Sequence, residues 1–201
     1  MSPLKIGTRD VTEVKIGSRD VIRIMHGTRE IWAADDGGGN GTPFTGIATV
    51  TNAGSNISAG TTRYGWKFTV GDAPLTVDKL RHYGNPLATG SVWRVMIHRD
   101  SDGASLASAD ITAAADAWAE ESVTPVELEA NTAYIASARC ISGTATFYGI
   151  NSGTPGVTFS ELLTRSAGAW FVSGGVDTKP TSFVSGASYV LLADFGGTYE
   201  P

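Results

Sequence analysis

The side chains able to do chemistry are sparse: three histidines, one cysteine and scattered carboxylates in a chain of 201 residues. None of His26, His82 and His98 has a partner at zinc-ligand spacing, so each is expected to be structural or at the surface. Cys140 has no histidine close to it in sequence, and no Gly-x-Ser-x-Gly elbow exists. A single cysteine makes no intrachain disulfide, and its position between Tyr134 and Phe147 fits a buried strand thiol. Glycoside cleavage needs two carboxylates facing each other, which is a spatial property. Glu120-Glu121 and Glu127/Glu129 are instead expected on the solvent face of a strand. Asp100-Ser101-Asp102-Gly103 has the opening of a calcium loop, but Ala104 and Leu106 offer no oxygen side chains, so a type I turn is expected. Asp35-Asp36 sits in a glycine-rich run and reads as solvated. Residues 37–41 are not followed by Lys-Ser/Thr, so they form no phosphate-binding loop. The expectation is a protein that is not an enzyme and carries no cofactor or metal.

Aromatic residues near glycine-rich turns are the remaining chemistry. Tyr83 stands beside Gly84-Asn85-Pro86, Tyr148 beside Gly149, and Trp170-Phe171 between Gly168 and Gly174. Sugar rings stack on such faces with amides and carboxylates nearby, because the ring is both apolar and polarisable. Tyr83, Asn85, Tyr148 and Trp170 are therefore the candidate ligand-binding residues, while Trp66, Phe68 and Trp93 are expected in the core.

The elements that would position them are strands. The composition is 41% hydrophobic and 17% charged with 25 glycines, too apolar for a disordered chain and rich in turn formers. Tyr64, Trp66, Phe68 and Val70 alternate with Arg63, Gly65, Lys67 and Thr69. Trp93, Val95 and Ile97 alternate with Arg94, Met96 and His98, and Tyr189, Leu191, Ala193 and Phe195 repeat the pattern. Period two of this quality means antiparallel strands with one face on a core. Ala104–Glu121 is alanine-rich, yet its apolar residues make no helical stripe, and Asp102-Gly103 is a hairpin signal. Two strands with a loop near Ala113–Asp116 are expected there, and a single helical turn over Phe159–Thr164. Net charge is −5 with no basic cluster, which argues against nucleic-acid binding. No stretch reaches the roughly 18 apolar residues of a membrane span, and residues 1–30 lack the apolar region of a signal peptide.

The N-terminus is a repeat of period ten. Leu4–Glu13, Val14–Arg23 and Ile24–Ala33 align Gly7/Gly17/Gly27, Arg9/Arg19/Arg29, the acids Asp10/Asp20/Glu30 and the β-branched Val11/Val21/Ile31. Each unit reads as two short strands about a Gly-Thr or Gly-Ser turn, so hairpins or a meander are expected, with turns near 7–8, 17–18 and 27–28. A bend or bulge is expected near Thr12-Glu13, where alternation fails. So short a segment buries too little to stand alone. Completion by other chains is expected through Ile6, Val11, Val14, Ile16, Val21, Ile24, Ile31 and Trp32; packing on its own C-terminal domain is the alternative. The organisation expected is a repeat over 1–33, a glycine-rich linker over 34–46 and a sandwich over 47–201.

Tandem units of the type Val14-Lys-Ile-Gly-Ser-Arg-Asp-Val21, ending in Ile31-Trp32, resemble the start of minor tail proteins of long-tailed, actinobacterial-type bacteriophages. The order Tyr64-Gly-Trp-Lys-Phe68, Val77–Tyr83, Val92-Trp-Arg-Val95, Asp102–Ala107, Trp118, Thr124–Leu128, Asn131–Ile135, Thr178-Lys-Pro-Thr181 and Ser188–Phe195 is similar to a bacterial β-sandwich domain of uncharacterised function found in surface carbohydrate-active proteins. The first resemblance implies a virion structural protein, assembled in the host cytoplasm and held among other tail proteins, as a homo-oligomer or in several copies. The second implies an all-β, antiparallel jelly-roll-like sandwich and hints at a host surface glycan. A carbohydrate-binding module and a capsid decoration protein are the alternative readings.

Overall fold

The computed structural model describes residues 5–6, 9–10, 15–16, 19–20, 23–26, 29–33, 41–51, 55–149, 157–166, 169–184 and 193–200. The chain divides into two compact units, Met1–Gly41 and Thr42–Pro201.

In the first unit each repeat closes on itself. β1 (Lys5–Ile6) pairs with β2 (Arg9–Asp10), β3 (Lys15–Ile16) with β4 (Arg19–Asp20), and β5 (Arg23–His26) with β6 (Arg29–Ala33), all antiparallel. Ile6 faces Arg9, Ile16 faces Arg19 and His26 faces Arg29; the turns expected near 7–8, 17–18 and 27–28 lie outside the described residues. Among the described residues these are separate two-stranded ladders and not a continuous meander. Segments this close in sequence have the least closure entropy to overcome, so each unit pairs with itself. Val11, Val14, Val21 and the bend expected at Thr12-Glu13 lie outside the described residues, as do the side chains of Ile6, Ile16, Ile24, Ile31 and Trp32.

The second unit is built of antiparallel strands: β7 (Thr42–Thr45), β8 (Ile47–Val50), β9 (Ser55–Ser58), β10 (Arg63–Val70), β11 (Leu75–Tyr83), β12 (Val92–Arg99), β13 (Ser105–Thr112) and β14 (Trp118–Leu128). Then follow β15 (Ala133–Ser142), β16 (Thr146–Gly149), β17 (Val157–Phe159), β18 (Leu163–Arg165), β19 (Ala169–Val172), β20 (Ser182–Val184) and β21 (Ala193–Tyr199). A seven-stranded sheet runs β13-β12-β15-β10-β19-β20, with β18 also on β10, and a four-stranded sheet runs β14-β11-β21-β7. The chain crosses repeatedly between the two sheets, from β10 to β11, back to β12, and again through β14 to β15. This is the all-β, antiparallel sandwich that the alternation called for.

The core lies between the sheets. Trp66 and Phe68 of β10, Trp93, Val95 and Ile97 of β12, and Leu75, Val77 and Leu80 of β11 are all essentially inaccessible. Trp66 stacks on Phe195 with centroids 6.0 Å apart, and its indole Nε1 donates to the Ala193 carbonyl at 2.6 Å, joining the two sheets. Cys140 is buried in β15, and burial pushes its thiol pKa up. Ala104–Glu121 resolves into β13 and β14 with the turn at 113–117 between them; its alanines suit a sheet because Ala107, Ile111 and Ala113 turn inward at alternate positions. Asp102 caps its own turn by accepting from Ala104 N at 3.0 Å, with Gly103 at φ +74°. The helical turn expected over Phe159–Thr164 does not form. β17 ends at Phe159 and β18 begins at Leu163, because the intervening turn is closed by Leu163 N–H on the Ser160 carbonyl at 3.2 Å.

Candidate functional site

Three half-buried aromatic rings meet beside the end of the four-stranded sheet. Along β11 the inward residues are Leu75, Val77, Leu80 and His82, so Arg81 and Tyr83 face outward. Tyr83 is the register partner of Trp118, the first residue of β14, and the two rings meet edge to face at 5.3 Å. Tyr148, on β16 opposite Asn56 of β9, comes within 6.1 Å of Tyr83. The Tyr148 hydroxyl donates to Asp116 Oδ1 at 2.5 Å. Burial raises the Tyr148 pKa to about 12, with Asp116 adding to the rise; burial and then Asp116 raise that of Tyr83 as well. Both phenols stay protonated donors across the physiological range.

The rings are held from behind. The Arg81 guanidinium lies 4.3 Å from the Trp118 ring centroid and pairs with Asp194 Oδ2 at 2.9 Å. Asp194 is fully buried and also accepts from Ile47 N at 2.9 Å. Burial pushes its carboxyl up to about 7, against the pull of Arg81 and of the Phe195 and Ile47 amides. Gly46 lets the chain pass over this carboxylate, since a Cβ there would lie 2.5 Å from Asp194 Oδ1.

The turn that presents Asp116 is fitted against Gly84. Gly84 N donates to the Ala117 carbonyl at 3.0 Å, and its own carbonyl accepts from Asp116 N at 3.1 Å. Asp116 itself sits at φ +50°, a conformation aspartate tolerates better than most residues. A Cβ on Gly84 would lie 1.8 Å from the Ala114 carbonyl oxygen, so backbone would have to move. Gly84→Ala is therefore expected to destabilise by about 2 kcal/mol or more. A thermal melt together with Tyr148 and Trp118 fluorescence checks this; an unchanged melting temperature would show that the turn is not seated on Gly84.

Of the candidate residues read from sequence, Tyr83, Asn85 and Tyr148 come together and Trp170 does not. Asn85 is fully buried, and its amide is already committed: Oδ1 caps Leu87 N at 2.9 Å and Nδ2 donates to Asn56 Oδ1 at 2.7 Å. It shapes the short turn Pro86–Ala88 instead of reaching a ligand. Trp170 pairs with Gly65 on the outer face of the other sheet, under Lys67 Nζ at 5.3 Å and against Phe183 at 5.3 Å. Sequence reasoning missed Trp118, Asp116 and Arg81. Trp118 follows the loop expected at Ala113–Asp116, which was a usable signal; Arg81 and Asn56 had none. Glu120, Glu121, Glu127 and Glu129 are all exposed on or beside β14, as expected.

Among the described residues, no group of three or more His, Cys, Asp or Glu could hold a metal ion, and no helix is long and apolar enough to cross a membrane. No protein-family model matches the chain, and no curated protein matches it. What fold and site define is a class: an antiparallel β-sandwich with an aromatic, carboxylate-edged surface at one end of its smaller sheet.

Proposed function

We propose that the chain is a non-enzymatic structural protein of a bacteriophage virion, a minor tail, tail-tip or fibre component. Its N-terminal repeat is the attachment segment, and its sandwich serves adhesion to a host envelope glycan. The observation that carries the adhesive reading is the convergence of Trp118 and Tyr148 on Tyr83, with the Asp116 carboxylate on the Tyr148 hydroxyl. Rings of this kind offer apolar faces to a pyranose, and Asp116 offers acceptors to its hydroxyls. Support for the attachment role comes from the three self-closed hairpins, too small to be stable without partners.

Host wall polysaccharide should bind the full chain, and Tyr148→Ala or Trp118→Ala should weaken it about tenfold or more, near 1.4 kcal/mol. Isothermal titration measures this, with Trp170→Ala as the comparison that leaves binding intact. Binding equal in all three variants would remove the aromatic cluster from the account. Mass spectrometry of purified particles tests the virion assignment separately. A chain that binds glycan yet is absent from particles would be a free carbohydrate-binding module.

A further inference from the structure

The outer face of the seven-stranded sheet carries a second cluster, built from arginines. Arg94 of β12 and Arg139 of β15 are direct register partners. Tyr64 of β10 faces Ala138, so Arg63 continues the row beside Arg139. Like charges side by side across a sheet oppose folding unless something neutralises them. At one end Asp110, the β13 partner of Arg94, grips it with both oxygens at 2.7 and 2.8 Å.

The rest of the neutralisation comes from the 173–181 loop. β19 and β20 pair directly, with Phe171 opposite Ser182, so a tight turn would suffice to join them. The chain instead runs out over the sheet. Asp177 Oδ1 accepts from Arg63 Nη2 at 2.5 Å and from Arg139 Nη2 at 2.8 Å, while Oδ2 accepts from Arg94 Nη1 at 2.7 Å. Further on, Lys179 Nζ donates to the Asp100 carbonyl at 2.5 Å and lies 3.3 Å from Asp100 Oδ1. Arg63 is fully buried beneath this cover.

Three guanidiniums converging on one carboxylate is the geometry of an oxyanion receptor. Against Asp177 and Asp110 the row keeps one formal positive charge in surplus. A phosphate or sulfate group brings more acceptor oxygens and more charge than a carboxylate, so it suits the row better than Asp177 does. Asp177 competes because it is tethered, which keeps its local concentration high.

We propose that Arg63, Arg94 and Arg139 form a binding site for a phosphate- or sulfate-type oxyanion, which Asp177 fills in cis until the 173–181 loop lifts. The test uses the full chain with inorganic phosphate and glycerol phosphate as probes, and chloride at matched ionic strength as control. In wild type, hydrogen exchange of residues 173–181 should quicken severalfold with either probe and not with chloride. In Asp177→Asn the same probes should raise the melting temperature by several degrees, and Arg139→Gln in that background should abolish the gain. A stronger response to glycerol phosphate points to an esterified ligand, and the reverse to the free ion. Loop exchange in wild type that responds to the probes no more than to chloride overturns the proposal. So does a gain in Asp177→Asn that survives Arg139→Gln.

Discussion

Asp177→Ala should lower the unfolding free energy by roughly 3 kcal/mol at neutral pH, seen as a lower urea midpoint with an unchanged slope. The effect is large because the partners are unequally placed. Asp177 keeps about a third of its side chain in water, whereas Arg63 has none. Removing the carboxylate leaves a buried cation beside two others. Burial already lowers the Arg63 pKa, Asp177 alone pulls it up, and Arg139 and Arg94 push the same way as burial. Burial likewise works to raise the Asp177 pKa, but the three guanidiniums of Arg139, Arg94 and Arg63 outweigh it and hold the carboxyl well below the usual range. The loss falls short of the largest known for broken buried pairs because Arg63 keeps the Val176 and Arg94 carbonyls, each at 3.3 Å. Asp110→Ala is the contrast. Its pair with Arg94 is 43% exposed on the aspartate side, and its loss should cost about 1 kcal/mol or less. Arg63→Met combined with Asp177→Ala should recover part of the stability, since no buried charge is then left alone. An Asp177→Ala midpoint equal to that of wild type would mean the loop is not fastened by this carboxylate.

His82 governs the response to acid. It is fully buried against Trp93, ring centroids 4.8 Å apart, and among the described residues neither of its ring nitrogens has a hydrogen-bond partner. Burial lowers its pKa from 6.5 to about 3. Between those values the unfolded chain holds a proton that the folded one refuses, so stability falls as pH drops through this window. By pH 3 the loss is on the order of 4 kcal/mol. Asp194 acts oppositely: with its carboxyl raised from 3.8 to about 7, the folded state holds the extra proton and gains stability as pH falls from 7 to 3.8. The two partly cancel in wild type. The informative quantity is therefore the difference between wild type and His82→Phe, whose curve should rise relative to wild type on acidification from pH 6.5. Parallel curves, measured by urea titration at each pH, would show that His82 does not resist protonation.

The elements were legible because they depend on local rules. Tyr64–Val70 alternates cleanly, and Trp66 and Phe68 land in the core. The ten-residue period placed the paired strands of each repeat, and Asp102-Gly103 placed the β12–β13 connection. The candidate site was half legible. Tyr83 and Tyr148 were found as aromatics beside turns, but Trp170 carries the same signature and sits on the other sheet. Turn-adjacent aromatics do not announce which sheet face they occupy; pairing does, as Gly65 opposite Trp170 shows. Asn85 looked like a ligand contact because a Gly-Asn-Pro turn is usually wet, yet its amide is spent on a cap and on Asn56. The arginine row was invisible for a different reason. Arg63, Arg94 and Arg139 each look like an ordinary outward residue on a strand, and only the register of β10, β15 and β12 makes them neighbours. Asp177 is far from all three in sequence, in a loop with no pattern to read.

The hairpins of the N-terminal unit have a consequence for the length of the repeat. Because each ladder opens and closes within one ten-residue period, among the described residues no strand depends on a neighbouring unit for its partner. A continuous sheet would punish the loss or duplication of one unit by leaving an edge unpaired. Here a whole ten-residue period can be added or deleted and every surviving ladder keeps its register. Copy number is then a length adjustable in steps of one hairpin, the third unit contributing the longest ladder.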